Sequence, residues 1–149
     1  MSEPLHLDAN NAYRKSKGRF DMKMIEFILI ALGAVVGAFL RYIMVASPQT
    51  IAGLPVNVLA VNVIGSFILG LFSVLAVALN LNSNYTLLVG TGFCGAFTTM
   101  SGFALETSNL ADNNRFLLAA LNILANVGLS LGAIIGGKVL GETIMTKVL

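Results

Sequence analysis

Charge is what this chain has least of. Asp, Glu, Lys and Arg make up 11% of its 149 residues, against 56% hydrophobic residues, and the mean hydropathy is +0.85. That balance excludes a soluble domain and marks an integral membrane protein. Cysteine occurs once, as Cys94 inside an apolar run. One thiol excludes a disulfide framework within the chain, and its plain reading is a small, polarizable packing residue. The segments between apolar runs are short, carry Pro48, Pro55 and several Asn, and leave no room for a soluble domain. The first 23 residues have no apolar core of their own, so they do not read as a signal peptide. No carboxylate is expected deep in a span, because Glu26 and Glu106 both fall at expected span ends. That disfavours a proton-coupled exporter of the small four-span drug-export type, which needs an exchangeable intramembrane acid. It equally disfavours a cation channel built on acidic rings. No enzymatic activity is expected.

Four runs are uncharged or nearly so: Phe27 to Ala46, interrupted by Arg41, then Val56 to Leu79, Tyr85 to Leu105 and Phe116 to Gly137. Each is long enough to cross a hydrocarbon core of about 30 Å, which takes about 20 helical residues. The spacing predicts an all-α, up-and-down membrane protein with spans near 24–46, 56–79, 85–108 and 115–139 and both termini on one side. Residues 1–23 read as a polar, basic tail, disordered or an upstream extension, with Met22 and Met24 at its boundary. Orientation depends on basic residues near span ends. Over the whole chain Arg14, Lys15, Lys17, Arg19, Lys23, Lys138 and Lys147 oppose Arg41 and Arg115, which predicts cytoplasmic termini. From Met22 onward only Lys23, Lys138 and Lys147 oppose that pair, close to no preference, and such a chain can insert both ways.

The polar residues inside the spans are patterned. Asn62, Ser66 and Ser73 lie along one stripe of the second span, and Asn122, Asn126 and Ser130 repeat every four residues in the fourth. The third span carries Gly90-Thr91-Gly92-Phe93-Cys94-Gly95-Ala96-Phe97-Thr98-Thr99-Met100-Ser101-Gly102-Phe103 at its middle. Glycines and hydroxyls give up apolar area, and glycine weakens a helix. Buried amides are costly unless they find partners or line water, so either interhelical hydrogen bonding or a narrow polar pathway explains the stripes. Amide and hydroxyl donors, with the positive ring edges of Phe93, Phe97 and Phe103, suit a small anion. Arg41 either raises anion concentration at a mouth or anchors the interface. Gly33 and Gly37 in the first span, and Gly128, Gly132 and Gly136 in the fourth, are spaced for close helix approach, within one subunit or across a dimer seam. The fourth-span glycine row lies about 200° around the helix from the amide row.

Three motifs in order, Gly33 to Tyr42, Val61 to Gly70, and Thr91 to Thr99 with Ser101, Phe103 and Glu106, resemble the Fluc (CrcB) family of fluoride channels from Met24 onward. The resemblance implies a passive, fluoride-selective channel in the plasma membrane that protects the cell from fluoride. It further implies an antiparallel, dual-topology dimer with two pores along its interface and a broken third helix. By the same resemblance Asn62 is a pore-lining donor and Phe103 presents a ring edge to fluoride. Thr99, Met100 and Ser101 border the path, and Asn126 takes the polar position of the fourth span. The backbone carbonyls of Gly95 and Thr98 hold a structural sodium ion. The chain departs from the family where Met100 replaces a phenylalanine, Gly102 a threonine, and Asn57-Val58 a Gly-Thr pair. These departures leave open a homodimer, or a heterodimer in which this chain is a non-conducting or single-pore partner.

Overall fold

The computed structural model describes residues 23–148; the basic tail expected over 1–23 lies outside them except for Lys23. Helix α1 spans Met24–Val45 and starts where Glu26 Oε2 accepts the Lys23 backbone N–H at 3.2 Å. Its 22 residues rise about 33 Å, enough to cross a hydrocarbon core. It stops before Pro48, since the residue preceding a proline is pushed out of the helical region.

A tight β-hairpin follows, β1 (Thr50–Ile51) against β2 (Leu54–Pro55), turning at Ala52 (φ 52°) and Gly53 (φ 82°). Two successive positive φ angles give the turn whose twist matches paired strands. The hairpin was not foreseen from sequence, and neither was its lock. The Asn57 side chain donates to the Met44 carbonyl (2.6 Å) and the Ser47 carbonyl (3.1 Å), and accepts from the Gln49 N–H (2.6 Å). Asn57, one of the departures from the family pattern, thereby organises the whole connection. A Cβ on Gly53 would run into the Arg115 guanidinium, so the turn before the last helix closes over this hairpin at the same end of the molecule.

Helix α2 spans Asn57–Ala78. The third span, Ser83–Asp112, is composite: a first turn α3 (Ser83–Tyr85) capped by Asn82, a nine-residue π-helix (Thr86–Cys94), a turn α4 (Gly95–Phe97), and helix α5 (Met100–Asp112). Thr98 (φ −74°, ψ 157°) and Thr99 (φ −147°, ψ 108°) are extended between α4 and α5. Two boundaries differ from expectation. The third helix runs to Asp112, and Thr107 and Asn113 satisfy their side chains on the Phe103 and Asn109 carbonyls (2.8 and 2.7 Å). Glu106 is therefore about 9 Å inside the helix end, not at it. The last helix, α6 (Phe116–Val148), continues well past residue 139, with Thr143 and Thr146 hydroxyls donating to the Val139 and Glu142 carbonyls.

These four helices are long and apolar enough to cross a membrane, which makes the chain a multi-pass membrane protein. They pack chiefly as two pairs, α1 with the first half of the third span and α2 with α6. A Cβ on Gly33 or Gly37 would collide with the Leu88 or Phe93 carbonyl, so these glycines seat α1 on the third span within one subunit. Gly70 likewise meets Ile134, and Gly137 meets Phe67. Among the described residues the row Gly128, Gly132 and Gly136 has no neighbour within 4 Å of a Cβ.

Candidate functional site

The break at Thr98 and Thr99 is built from a redirection of two backbone N–H groups. In an unbroken helix the Thr99 N–H would return to the Gly95 carbonyl and the Gly102 N–H to the Thr98 carbonyl. Here Thr99 N donates to Asn62 Oδ1 at 2.8 Å, and Gly102 N donates to Thr99 Oγ1 at 3.0 Å, an N-cap for α5. The Gly95 and Thr98 carbonyls thus lose their helical partners. The Thr98 oxygen accepts instead from Arg41 Nη1 at 3.4 Å, so half-buried Arg41 reaches inward to the break. Gly102, a departure from the family pattern, fits a tight space, since a Cβ there would lie 3.0 Å from Thr99 Cγ2.

Asn62 is the partner that holds the break open. Its amide grips Thr99 at both ends, accepting from its N–H and donating to its carbonyl at 3.3 Å, as a neighbouring β-strand would. A second contact from Asn62 Nδ2 goes to Asn126 Oδ1 at 3.0 Å. Asn126 Nδ2 donates to the Asn122 side-chain and backbone oxygens (3.0 and 3.1 Å), Asn122 Nδ2 to Thr107 Oγ1 (3.0 Å), and Thr107 Oγ1 to the Phe103 carbonyl (2.8 Å). Asn122 is 0% exposed and Asn126 4%. Fully paired amides of this kind satisfy the requirement that buried polar groups be hydrogen-bonded. Asn122 was visible as part of the fourth-span stripe, but its role was not. Thr107 was missed because the span was expected to end beside it.

Two grooves flank the break, and they divide the candidate residues. One, about 460 Å³, is lined by Asn62, Gly95, Thr98, Met100, Phe103 and Asn126 among others, together with Ser66 and Ser130. The other, about 570 Å³, is lined by Arg41, Ser101, Gly102 and Leu105. Thr99 borders both. Within one subunit the structure therefore brings Met100 and Phe103 together with Asn62 and Asn126, and sets Ser101 on the opposite side. Phe103 is buried while Met100 is 74% exposed. Ser73, the last of the second-span stripe, donates to the Gly70 carbonyl of its own helix (2.7 Å). Phe93 and Phe97 stack at 5.5 Å between ring centroids, with Phe97 buried, and they line neither groove. Among the described residues two buried side-chain oxygens have no partner, Ser130 Oγ beside the first groove and Glu106 Oε2.

The chain resembles known proteins over most of its length. The family described as CrcB-like protein, Camphor Resistance (CrcB), matches residues 28–138. The chain is 55% identical over 126 residues to the fluoride-specific ion channel FluC of Nitrosopumilus maritimus, covering 85% of this chain and 100% of that one. It is 43% identical over 119 residues to the protein of that name from Methanocaldococcus jannaschii (80% and 96% covered), and 38% identical over 122 to that of Methanococcus aeolicus (82% and 99%). Kinship supplies a stronger argument against a proton-coupled exporter than the missing midspan carboxylate: this chain belongs to the CrcB family.

Proposed function

We propose that the chain is a subunit of a fluoride-selective passive channel of the plasma membrane, with fluoride passing along the groove beside Asn62 and Phe103. The observation that carries this reading is the 55% identity, over the full length of the relative, to a protein named a fluoride-specific ion channel. Its cellular use follows from acid chemistry: hydrogen fluoride crosses a bilayer, dissociates at neutral internal pH, and the trapped anion leaves through the channel. Asn62 and Asn126 direct their amide N–H groups into the chain's own network. In this reading they frame the groove, while the Phe103 ring edge and the hydroxyls of Ser66 and Ser130 are left to meet the anion. Thr99 and Ser101, their hydroxyls 3.2 Å apart, would serve the groove on the other side of the break.

The working unit in this proposal is an antiparallel dimer. The open row Gly128, Gly132 and Gly136, flanked by exposed Leu121, Leu124, Leu129 and Leu131, is the surface a second copy would cover. A sodium ion fits the break, because Gly95 and Thr98 present carbonyls whose helical donors have been drawn away by Asn62 and Thr99. When bound, sodium would give these oxygens a partner, the Thr98 oxygen also accepting from Arg41 Nη1. Exposed Met100 on the groove favours one second reading, a heterodimer in which this chain contributes the weaker pore.

The purified protein in liposomes is expected to release fluoride, read by an ion-specific electrode, with little chloride flux. No release from the protein alone, with release on co-expression with a homologous subunit, would replace the homodimer by the paired-subunit reading. No fluoride release in either case sinks both.

A further inference from the structure

The hydrogen bonds from the break to Phe103 form one uninterrupted donor-to-acceptor series. The Thr99 N–H donates to Asn62, Asn62 to Asn126, Asn126 to Asn122, Asn122 to Thr107, and Thr107 to the Phe103 carbonyl, each at 3.0 Å or less. The series has a fixed direction. Asn62 cannot flip, because Thr99 offers it an N–H at one end and a carbonyl at the other. Asn126 must then turn its oxygen toward Asn62, which aims its nitrogen at Asn122 and aligns every dipole that follows. Hydrogen bonds in such a series polarise one another and strengthen together.

The geometry points to Asn122 and Thr107 as positioning residues for the anion path, a role that rests on the channel reading above. Neither lines a groove. Asn122 lies at the centre of the protein, 0% exposed, and joins α6 to α5 through Thr107. The two ends of the series are the two features that shape the groove: the extended Thr99 backbone and the turn of α5 that carries Phe103. Breaking a middle link leaves the side chains in the groove unchanged in kind, yet strands a buried polar group and removes the polarisation that strengthens the bonds upstream, so the hold of Asn62 on Thr99 weakens and the break drifts toward an ordinary helix.

Thr107→Val tests this with almost no change of shape, so misfolding does not confuse the result; Asn122→Leu removes the neighbouring link. Two readouts are taken in lipid vesicles on protein of unchanged oligomeric state: hydrogen exchange of residues 98–103 by solid-state NMR, and fluoride efflux with chloride as competitor. Each single variant is expected to speed exchange of the Thr99 amide roughly tenfold and to slow fluoride efflux roughly tenfold, the effect of stranding one buried polar group. The double variant is expected to match the worse single one, since both cut the same series. Thr107→Ser, which keeps the hydroxyl, is expected to recover most of what Thr107→Val loses. Unchanged exchange at Thr99 in Thr107→Val overturns the inference, and so do additive losses in the double variant. Faster exchange with unaltered efflux overturns the link to the path. If the unmodified chain conducts no fluoride, alone or with a homologous subunit, while Thr107→Val still loosens Thr99, the channel reading fails and the relay from Asn122 to the break stands.

Discussion

Gly33 and Gly37 in α1 have the same four-residue spacing as Gly128, Gly132 and Gly136 in α6, and in sequence the two sets are indistinguishable. In the fold they differ completely. The α1 pair is filled by the third span, with carbonyls of Leu88 and Phe93 occupying the space a side chain would need. The α6 row meets nothing within 4 Å. A glycine row shows only that something can come close, and what comes close is set by the rest of the chain. For α1 it is the π-helix, whose wider turns and Gly92 bring backbone to backbone: a Cβ on Gly92 would lie 2.6 Å from the Ile30 oxygen. For α6 the helix already packs on α2 through Gly137 and Gly141, one position round from the open row. That leaves the row free for a second copy.

Substitution separates the two rows. Gly37→Val is expected to be the most damaging change, because the Phe93 carbonyl cannot move aside cheaply. Overpacking of this sort costs about 1–3 kcal/mol and more where backbone is struck, and loss of folded protein on size-exclusion chromatography checks it. Gly132→Leu is expected to leave the subunit folded while weakening the dimer, seen as a shift to monomer by single-molecule photobleaching in dilute liposomes. A dimer as stable as the parent would move the seam elsewhere.

Smaller effects sharpen the functional side of the contrast. Phe103→Ile should reduce fluoride efflux by about tenfold or more, equivalent to about 1.4 kcal/mol in the barrier, without dispersing the dimer; unchanged efflux would remove Phe103 from the path. Met100→Phe, which restores the aromatic ring edge of the family pattern, is expected to raise efflux by about two- to threefold. Its effect is the smallest because Met100 is 74% exposed and holds nothing in place.

The four spans were legible because hydrophobic runs of about 20 residues have few other uses. The broken third helix and the assigned residues around it came from the three motifs, and the break falls at Thr98 and Thr99. The details that sequence did not disclose are those in which one side chain substitutes for backbone. Asn62 bridging Thr99, and Asn57 bridging Met44, Ser47 and Gln49, depend on which helices become neighbours, and spacing along a single helix carries no such information. The third and fourth helices run further than the apolar runs that mark their spans. Hydropathy falls there, but the helix does not need apolar residues to continue, and its threonine and asparagine side chains find partners on its own carbonyls. Glu106 accordingly lies about two turns inside the helix rather than at its end.

The length of α6 has a practical consequence. Its 33 residues rise about 50 Å, some 20 Å more than a hydrocarbon core, so the turns bearing Lys138, Glu142 and Lys147 stand clear of the lipid. With the antiparallel pairing proposed above, one such stub emerges on each face of the membrane. A cysteine introduced at Lys147 would then be labelled by a membrane-impermeant reagent to about half when added outside sealed vesicles, and fully once they are opened. A single tag on the end of one long helix thereby reports the topology of the whole assembly.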